Sequence, residues 1–252
     1  MTWWTLTDWK FIGLENFITF FTEPSLNIGF KNTIIYAVVT SGLKVILGLL
    51  LGVFLCSRLK TKSFIRSMVF FPTLLSTIAV GIAFTVMMHP TQGLINKTLQ
   101  VLGMVGPDWL GDTRIALLSV ALVDVWKGVG IATVIFIAGI MSIPEEYYEA
   151  LMMDGGNALH KFWYIILPLS RPAMNSVIIL SFIGGLRSFD LIWSMTKGGP
   201  GFSTDLIASI IYKQYQAGFY GLSTAGNVIL FIVVSALALP LYVYLNRKEV
   251  DV

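Results

Sequence analysis

The chain has 252 residues, of which 56% are hydrophobic and 12% are charged, and its net charge is +3. A soluble domain carries about 25% charged residues, so this composition indicates a membrane protein, and the small positive charge gives no reason to expect nucleic acid as a partner. The single cysteine, Cys56, excludes an internal disulfide and a cysteine-ligated metal cluster. The two histidines, His89 and His160, lie far apart in the sequence, which argues against a histidine metal site.

The sequence predicts an all-α, polytopic membrane protein with a single transmembrane domain over residues 1–252. A membrane span needs about 20 mostly apolar residues, and in hydrocarbon every backbone polar group must be bonded within its own segment, which favours helices. Residues 1–31 should form an external segment, and its stretch 8–21 either lies at the membrane interface or is a loosely ordered tail. The predicted spans are 32–56, 66–89, 115–140, 172–195 and 223–246.

The loop "SRLKTKSFIR" sets the predicted orientation. It holds four basic residues and no acid, and Lys and Arg are enriched in cytoplasmic loops. With this loop inside the cell, residues 141–171 are also inside and residues 1–31 are outside. An exported N-terminus without a signal sequence, followed by an odd number of spans, is unusual. We therefore expect either a further span before Met1 or a misplaced start.

Charged side chains occur inside three of the predicted spans. They are costly in lipid and normally face a bundle interior or a water-filled path. Lys44 lies in the middle of the first span. Asp124 and Lys127 are three residues apart in the third, and Arg187 and Asp190 repeat that spacing in the fourth, so each pair would share a helix face. Two interpretations stay open, a polar translocation path or structural ion pairs that fix helix packing.

Two glycine patterns lie in the same spans. Gly48 and Gly52 form a G-x-x-x-G pattern, which permits close approach of a neighbouring helix. Gly184 and Gly185 either loosen the fourth span or leave room for a ligand. Aromatic rings beside polar groups suit a sugar, which offers C–H faces and hydroxyls, although rings that face lipid or fill a core are the alternative. Such rings are Trp126, Phe189 and Trp193.

The sequence contains no familiar catalytic or nucleotide-binding motif. It has no H-E-x-x-H, no G-x-S-x-G, no Cys–His pair and no G-x-x-x-x-G-K-[ST]. We therefore expect no catalytic residue, no metal site and no cofactor in this chain. If transport here is driven by ATP, a separate subunit must supply the ATPase.

Residues 141–171 form an acidic insert between the third and fourth predicted spans. Ser142 and Glu145 have the S-x-x-E spacing of a capping box, and Pro144 suits the first turn of a helix. The sequence therefore predicts a helix from about Pro144 to Met153.

Glycine should end this helix. Gly155-Gly156 suits a left-handed cap, and Asn157 should cap a second short helix that proceeds to Leu167. The first helix is too short to be stable alone, so it must dock on something. One of its faces carries Tyr147, Ala150 and Leu151. A helix lying flat on lipid is the alternative, but the acidity of the insert argues against it because the cytoplasmic leaflet is itself negative.

The insert also carries a longer motif. Glu149-Ala150-Leu151 is followed after three residues by Gly155, and after nine more by Ile165-Ile166-Leu167-Pro168. This spacing resembles the E-A-A, G and I-x-L-P motif in permease subunits of binding-protein-dependent ABC importers. Leu151 stands where that family usually has Ala, and Gly156 replaces a frequent Ala. The stretches "FIGLENFITFF", "KNTIIY" and "TKGGPGFSTDLIASIIYKQYQAGFYGLSTAGNVILF" resemble the oligosaccharide, maltose-type branch, so the resemblance covers nearly the whole chain.

The resemblance implies a set of partners besides membrane lipid. Two permeases, usually non-identical, would pair around a central path in a bacterial or archaeal cell membrane, and an external solute-binding protein would deliver a sugar or oligosaccharide. Two cytoplasmic ATP-binding subunits would receive the insert as a coupling helix, and their closure would flip the path outward. The family fold usually has six spans, one before those seen here. The residues implied in docking are Glu149, Ala150, Leu151, Asp154 and Gly155.

By the same resemblance, the sugar site lies on the helices that correspond to 172–195 and 223–246. Import of a phosphorylated polyol such as glycerol 3-phosphate is an alternative, in which Arg187 would meet the anion. A membrane-embedded enzyme is opposed by the missing catalytic groups, and a channel would have no use for a helix docked on an ATPase. The candidate path residues are Gly185, Arg187, Ser188, Asp190, Trp193 and Asn227.

Overall fold

The structure is a computed structural model that describes residues 11–22, 24–57 and 60–247. Every regular element in these ranges is a helix, which confirms the all-α prediction for the described chain. In chain order the helices are α1 Glu15–Thr22, α2 Pro24–Cys56, α3 Lys62–Leu74, α4 Thr77–Met87, α5 Leu94–Val101, α6 Ala116–Met141, α7 Glu145–Met153, α8 Ala158–His160, the π-helix Lys161–Ile166, α9 Leu167–Leu169, α10 Arg171–Leu186, α11 Asp190–Met195, α12 Ile207–Gln216 and α13 Tyr220–Asn246.

The described residues fall into two compact units, each with its own core. The first unit takes the described parts of Met1–Val39, Leu75–Asp124 and Ile183–Leu237. The second takes those of Thr40–Leu74, Val125–Phe182 and Ala238–Val252. A single transmembrane domain over residues 1–252 stays a prediction.

Two hydrophobic cores hold the first unit together. In one, Tyr36 of α2 packs with apolar residues of α4, α6 and α11. In the other, Phe20 of α1 and Leu26 of α2 pack with α12 and α13. Phe20 is fully buried, so the part of the predicted external segment that forms α1 is tied to a core and is not a loose tail. Residues 8–10 of the predicted interfacial stretch lie outside the described residues.

A buried carboxylate fixes the start of α12. Asp205 is fully buried; its carboxylate accepts a hydrogen bond from Lys213 Nζ at 2.7 Å and another from Ser209 Oγ at 2.8 Å. Its backbone carbonyl accepts from Asn32 Nδ2 at 3.1 Å. A buried charge is tolerated when it is paired and hydrogen-bonded in this way. These contacts anchor α12 to α2.

The core of the second unit forms where α2 and α6 approach closely. A methyl group at Gly48 would lie 2.7 Å from the Cβ of Ala132, and one at Gly52 would lie 2.9 Å from the Cβ of Phe136. The G-x-x-x-G prediction of a close helix contact is therefore confirmed. Residues of the π-helix and α10 complete this core, namely Ile166, Ala173 and Val177.

Three helices in the described ranges are long and apolar enough to cross a membrane, and two broken pairs bring the total to at most five. The single helices are Leu26–Cys56, Ala116–Met141 and Tyr220–Asn246. The broken pairs are Lys62–Leu74 with Thr77–Met87, and Ala158–Leu169 with Arg171–Leu186.

The stretch predicted as one helix over 66–89 is in fact α3 and α4. Pro72 lies inside α3, where it lacks a backbone N–H and its ring crowds the carbonyl four residues earlier. The chain leaves the helix at residues 75–76, and Ser76 takes an extended ψ of 130° before α4 begins. A hydropathy average over this stretch detects its apolar composition but not the break in the helix, so the prediction of one continuous helix was wrong.

The stretch predicted as one helix over 172–195 is also interrupted. Helix α10 ends at Leu186, and α11 begins only at Asp190. Phe189 has φ −137° and ψ −57°, outside helical values, and the weak helix formers Gly184 and Gly185 come just before the break. The interruption therefore lies within the predicted path residues.

Candidate functional site

The insert begins with α7, whose first turn differs from the prediction. Helix α7 spans Glu145–Met153, close to the expected range, but its N-cap is Pro144 and no side chain caps it. Ser142 lies two residues before the N-cap position; its hydroxyl donates instead to the carbonyl of Gly139 at 2.8 Å. The predicted capping box is therefore wrong.

The far end of α7 follows the prediction closely. Gly155 has φ +74°, the left-handed conformation that glycine adopts without steric cost. Asp154, immediately before it, is the C-cap and is exposed. The side chain of Asn157 then accepts hydrogen bonds from the backbone N–H groups of Leu159 and His160, both at 3.0 Å. Glycine and asparagine thus turn the chain from α7 into the next helical run, as predicted.

Helix α7 has an inner and an outer face. Tyr148 packs against the core of the second unit, and Leu151 is half-buried. A methyl group at Gly156 would collide with the Leu151 side chain, so Leu151 folds back under this glycine. Glu149 and Ala150 are exposed. Of the predicted docking residues, Leu151 is therefore the one turned towards its own chain.

A half-open cavity of about 920 Å³ lies beside α7, within the second unit. Apolar side chains from α2, α6 and the π-helix line its depth, and charged groups line other parts of its wall. The charged groups are Glu145, Glu149 and Lys161. Open space therefore borders α7 along part of its length.

One polar contact bridges α7 to the π-helix. Lys161 Nζ lies 4.1 Å from the centre of the Tyr148 ring. Burial raises the pKa of the Tyr148 phenol above its ordinary value, so the ring is neutral at physiological pH. The contact is therefore a cation–π interaction and not an ion pair, worth about 0.5–1 kcal/mol at a partly exposed site.

Large apolar side chains on the insert also face outward. They share high exposure, between 44% and 88%. These residues are Tyr147, Met152, Met153, Leu159, Trp163 and Tyr164. The helix-face prediction included Tyr147 alone of these residues, and the motif comparison included none of them, because it depends on fixed spacings. The available signal was the presence of large apolar side chains in an acidic insert outside the predicted spans, and exposed apolar surface marks a site of interaction with protein or membrane.

The predicted path residues of the fourth span gather around the helix interruption. Gly185 is buried in the last turn of α10, and Arg187 and Asp190 are exposed on either side of the break. Ser188 and Trp193 are half-buried. Because the helix stops before Arg187, Arg187 and Asp190 do not share a helix face, and among the described residues they form no ion pair with each other. The prediction that they share a helix face is therefore wrong.

Asn227 lies on another element, α13. It is exposed, and its side-chain amide donates to the carbonyl of Ser223 in the same helix at 3.1 Å. The structure therefore brings five of the six candidates together along one stretch of chain and leaves Asn227 with a local contact.

The other charges in apolar helices occupy defined positions. Lys44 is 9% exposed, and a methyl group at Gly128 would lie 2.7 Å from its Cε. The Lys44 stem therefore passes across α6 at a glycine. Lys127 is half-buried, and its backbone carbonyl accepts from Thr73 Oγ1 at 3.0 Å. Whether these charges line a path or fix packing stays a prediction.

Comparison with known proteins decides the family. The profile of the binding-protein-dependent transport system inner membrane component matches residues 44–250. The chain belongs to this family. It is a membrane-embedded permease subunit of an ABC importer and not an enzyme. In the described residues, no three His, Cys, Asp or Glu side chains are grouped to hold a metal ion.

Relatives resemble this permease over nearly its whole length. The trehalose/maltose transport system permease MalF of Thermococcus litoralis is 32% identical over 96% of this chain and 81% of its own. The multiple sugar-binding transport system permease MsmF of Streptococcus mutans is 29% identical over 98% of this chain and 85% of its own. A bacterial ABC transporter that imports the polysaccharide alginate has the same fold, with a TM-score of 0.85 at 20% identity over 97% of this chain and 86% of that one.

Proposed function

We propose that this permease forms half of the path through which a sugar or oligosaccharide enters a bacterial or archaeal cell. One observation carries the sugar assignment. Relatives that each align with at least 91% of this chain are named for trehalose and maltose, for multiple sugars and for arabino-oligosaccharides. The remaining half would come from a second permease, and an external solute-binding protein would deliver the substrate.

The insert is the proposed docking site for a cytoplasmic ATP-binding subunit. With two permeases, two such subunits would dock, one on each insert. Its outward apolar side chains, Met153 and Leu159 among them, are 88% and 68% exposed and would be covered by such a subunit. Glu149, Ala150, Asp154 and Gly155 would shape the docking helix, while Leu151 would support it from within. Closure of the ATPase pair would draw the inserts together and reorient the path. The permease itself would need no cofactor.

The helix interruption supports a path for a hydroxyl-rich substrate. Arg187 and Asp190 are exposed there, and Trp193 presents part of an aromatic face. Aromatic faces with a few polar groups are the usual lining of small-molecule sites. A sugar needs both, because its hydroxyls take hydrogen bonds and its C–H faces pack on rings.

A phosphorylated polyol is the second candidate substrate. The sn-glycerol-3-phosphate transport system permease UgpA of Agrobacterium fabrum is 29% identical over 95% of this chain. An exposed arginine such as Arg187 can bind a phosphate in bidentate fashion. Substituting Arg187 should therefore separate the two substrates.

Uptake in cells that lack this chain tests the assignment. Restoring the chain should restore ATP-dependent uptake of a labelled saccharide, with trehalose, maltose and an arabino-oligosaccharide as the probes. Arg187→Ala should change saccharide uptake more than it changes the amount of chain in the membrane, and Arg187→Lys is the matched control that keeps the charge. Restored uptake of glycerol 3-phosphate alone would contradict the sugar assignment and support the second candidate.

Co-purification tests the docking proposal separately. An ATP-binding subunit should purify with the intact permease and be lost when Met153→Asp and Leu159→Asp are combined, because buried charge opposes an apolar interface. Val101→Asp combined with Val105→Asp places the same two charges on residues that are 87% and 97% exposed and lie outside the candidate membrane helices, and it is the control. A stable complex that keeps the ATPase in the double variant would contradict docking on this surface.

A further inference from the structure

Aromatic rings follow one another through part of the first unit. The ring centres of Trp193 and Tyr212 are 4.8 Å apart, those of Tyr212 and Tyr215 are 6.5 Å apart, and those of Tyr215 and Tyr220 are 5.3 Å apart. We call Trp193, Tyr212, Tyr215 and Tyr220 the aromatic ladder. Phe189 stacks behind its first ring, with centres 5.7 Å apart and planes 19° apart. The ladder therefore starts at a predicted path residue and continues away from it along α12 to the start of α13.

Core packing does not account for the ladder. Helix α12 already buries Ile207, Ile210 and Ile211 in a hydrophobic core, and these residues lie on one side of the helix. Tyr212 and Tyr215 are three residues apart and share another face. In the described part of the chain, none of the ladder rings belongs to a hydrophobic core of the first unit.

The ladder combines accessible ring surface with polar groups. Tyr215 is 55% exposed and Tyr220 is 37% exposed, while Trp193 and Tyr212 are half-buried. Gln216 Nε2 donates to the Tyr212 hydroxyl at 3.4 Å, a contact in which the hydroxyl acts as acceptor and its proton stays available to a ligand. Aromatic faces next to hydroxyl and amide groups match the alternating C–H faces and hydroxyls of a carbohydrate.

We propose that the aromatic ladder is a binding track for successive rings of an oligosaccharide that enters or leaves the path at Trp193. This inference rests on the proposed function, since it requires a saccharide substrate. The ladder has several ring positions, so a longer saccharide gains more contacts than a shorter one. Loss of one outer ring should therefore weaken transport of a tetrasaccharide more than transport of the matching disaccharide.

The test compares Tyr215→Leu, which removes the ring, with Tyr215→Phe, which keeps it. Uptake is measured with maltose and maltotetraose, or with the disaccharide and tetrasaccharide of whichever series the wild-type chain imports. Tyr215→Leu should raise the KM for the tetrasaccharide about threefold to tenfold, the size expected for one aromatic contact, and change the disaccharide KM less than twofold. Tyr215→Phe should stay close to wild type. Phe231→Leu, at a 72% exposed ring of α13, is the control and should change neither.

The outcomes separate the ladder from the proposed function. A wild-type chain that imports no saccharide would overturn both. Saccharide import with equal KM values in Tyr215→Leu and wild type would overturn the ladder alone. If Tyr215→Leu only lowers the amount of chain in the membrane, or affects both saccharides equally, then Tyr215 is a structural or lipid-facing ring and the ladder is again overturned.

Discussion

Two short helices of this permease, α7 and α11, are held in place by different means. In α11, Leu191, Ile192 and Met195 are between 0% and 6% exposed and belong to a hydrophobic core. In α7, no residue is buried. Its position depends on Pro144 at one end, on the turn at Gly155 at the other, and on contacts along its inner face.

This difference indicates where each helix gets its stability. Helix α11 is stabilised within the chain, because its apolar side chains are removed from water. Helix α7 is too short to be stable alone and leaves large apolar side chains exposed, an arrangement that fits the proposed docking of an ATP-binding subunit on it. The arrangement of α7 suits a helix that passes movement between subunits, because such a helix would become fully ordered when its partner subunit binds.

Tightening the packing of α11 should give the largest effect on stability. A methyl group at Gly81 of α4 would collide with Ser194 of α11, and it would lie 2.8 Å from the Ser194 Cβ. Gly81→Ala should therefore lower the free energy of unfolding by about 1–3 kcal/mol, the usual cost of overpacking. The thermal unfolding midpoint of the purified permease in detergent measures this loss.

A second substitution shows whether the collision is the cause. Ser194→Gly removes the atoms that the new methyl group meets, so Gly81→Ala with Ser194→Gly should recover part of the lost midpoint. Gly42→Ala adds a methyl group in α2 where no atom lies within 4 Å, and it should leave the midpoint unchanged. Equal midpoints in Gly81→Ala and wild type would mean that the two helices are less tightly packed than the structure indicates.

Changing the end of α7 should alter coupling more than overall stability. Gly155 has φ +74°, and a residue with a side chain pays about 1–2 kcal/mol in this conformation. Because the insert can relieve this strain by local rearrangement, Gly155→Val should lower uptake per ATP hydrolysed severalfold while the unfolding midpoint falls less than in Gly81→Ala. Gly155→Asn is the matched control, because asparagine tolerates the left-handed region, and it should retain most of the coupling. If valine and asparagine behave alike, the left-handed turn is not what positions α7.

Much of the insert was predictable because its signals are local. Gly155 and Asn157 fix the end of α7 and the start of the next helix through backbone conformation and hydrogen bonds that involve only neighbouring residues. Ser142 misled the prediction, because a capping motif gives the residue spacing and not the residue at which the helix begins. The inward turn of Leu151 depends on Gly156 and on the core behind α7, which no spacing rule includes.

The helix interruption was not predictable from composition. A hydropathy window averages over residues 172–195 and takes no account of where the backbone leaves the helix. Gly184 and Gly185 indicate a point where the helix could loosen, but the break comes at Arg187–Phe189, and α11 is then fixed by packing against α4. Tertiary contacts of this kind involve residues far apart in the sequence, so the positions of Trp193 and the aromatic ladder required a structure.

The smallest expected effect comes from a substitution on the inner face of α7, and it tests how far this face holds the helix in place compared with the buried core that holds α11. Gly156 donates its backbone N–H to the carbonyl of Leu151 at 2.8 Å, and an added methyl group would meet the Leu151 side chain and lie 2.9 Å from that carbonyl oxygen. Gly156→Ala should therefore displace Leu151 and cost about 1 kcal/mol, at the low end for overpacking because the insert can relax. Uptake per ATP should fall about twofold to threefold.

Combining Gly156→Ala with Leu151→Ala should restore part of that loss, since the smaller side chain removes the collision while the contact with the carbonyl oxygen persists. Residues in contact give non-additive effects in such a double-mutant cycle. Leu151→Ala alone should weaken coupling by removing an apolar contact from the inner face. Strictly additive effects would mean that Leu151 and Gly156 act separately, and α7 would then be positioned by its ends and its partner without support from this pair.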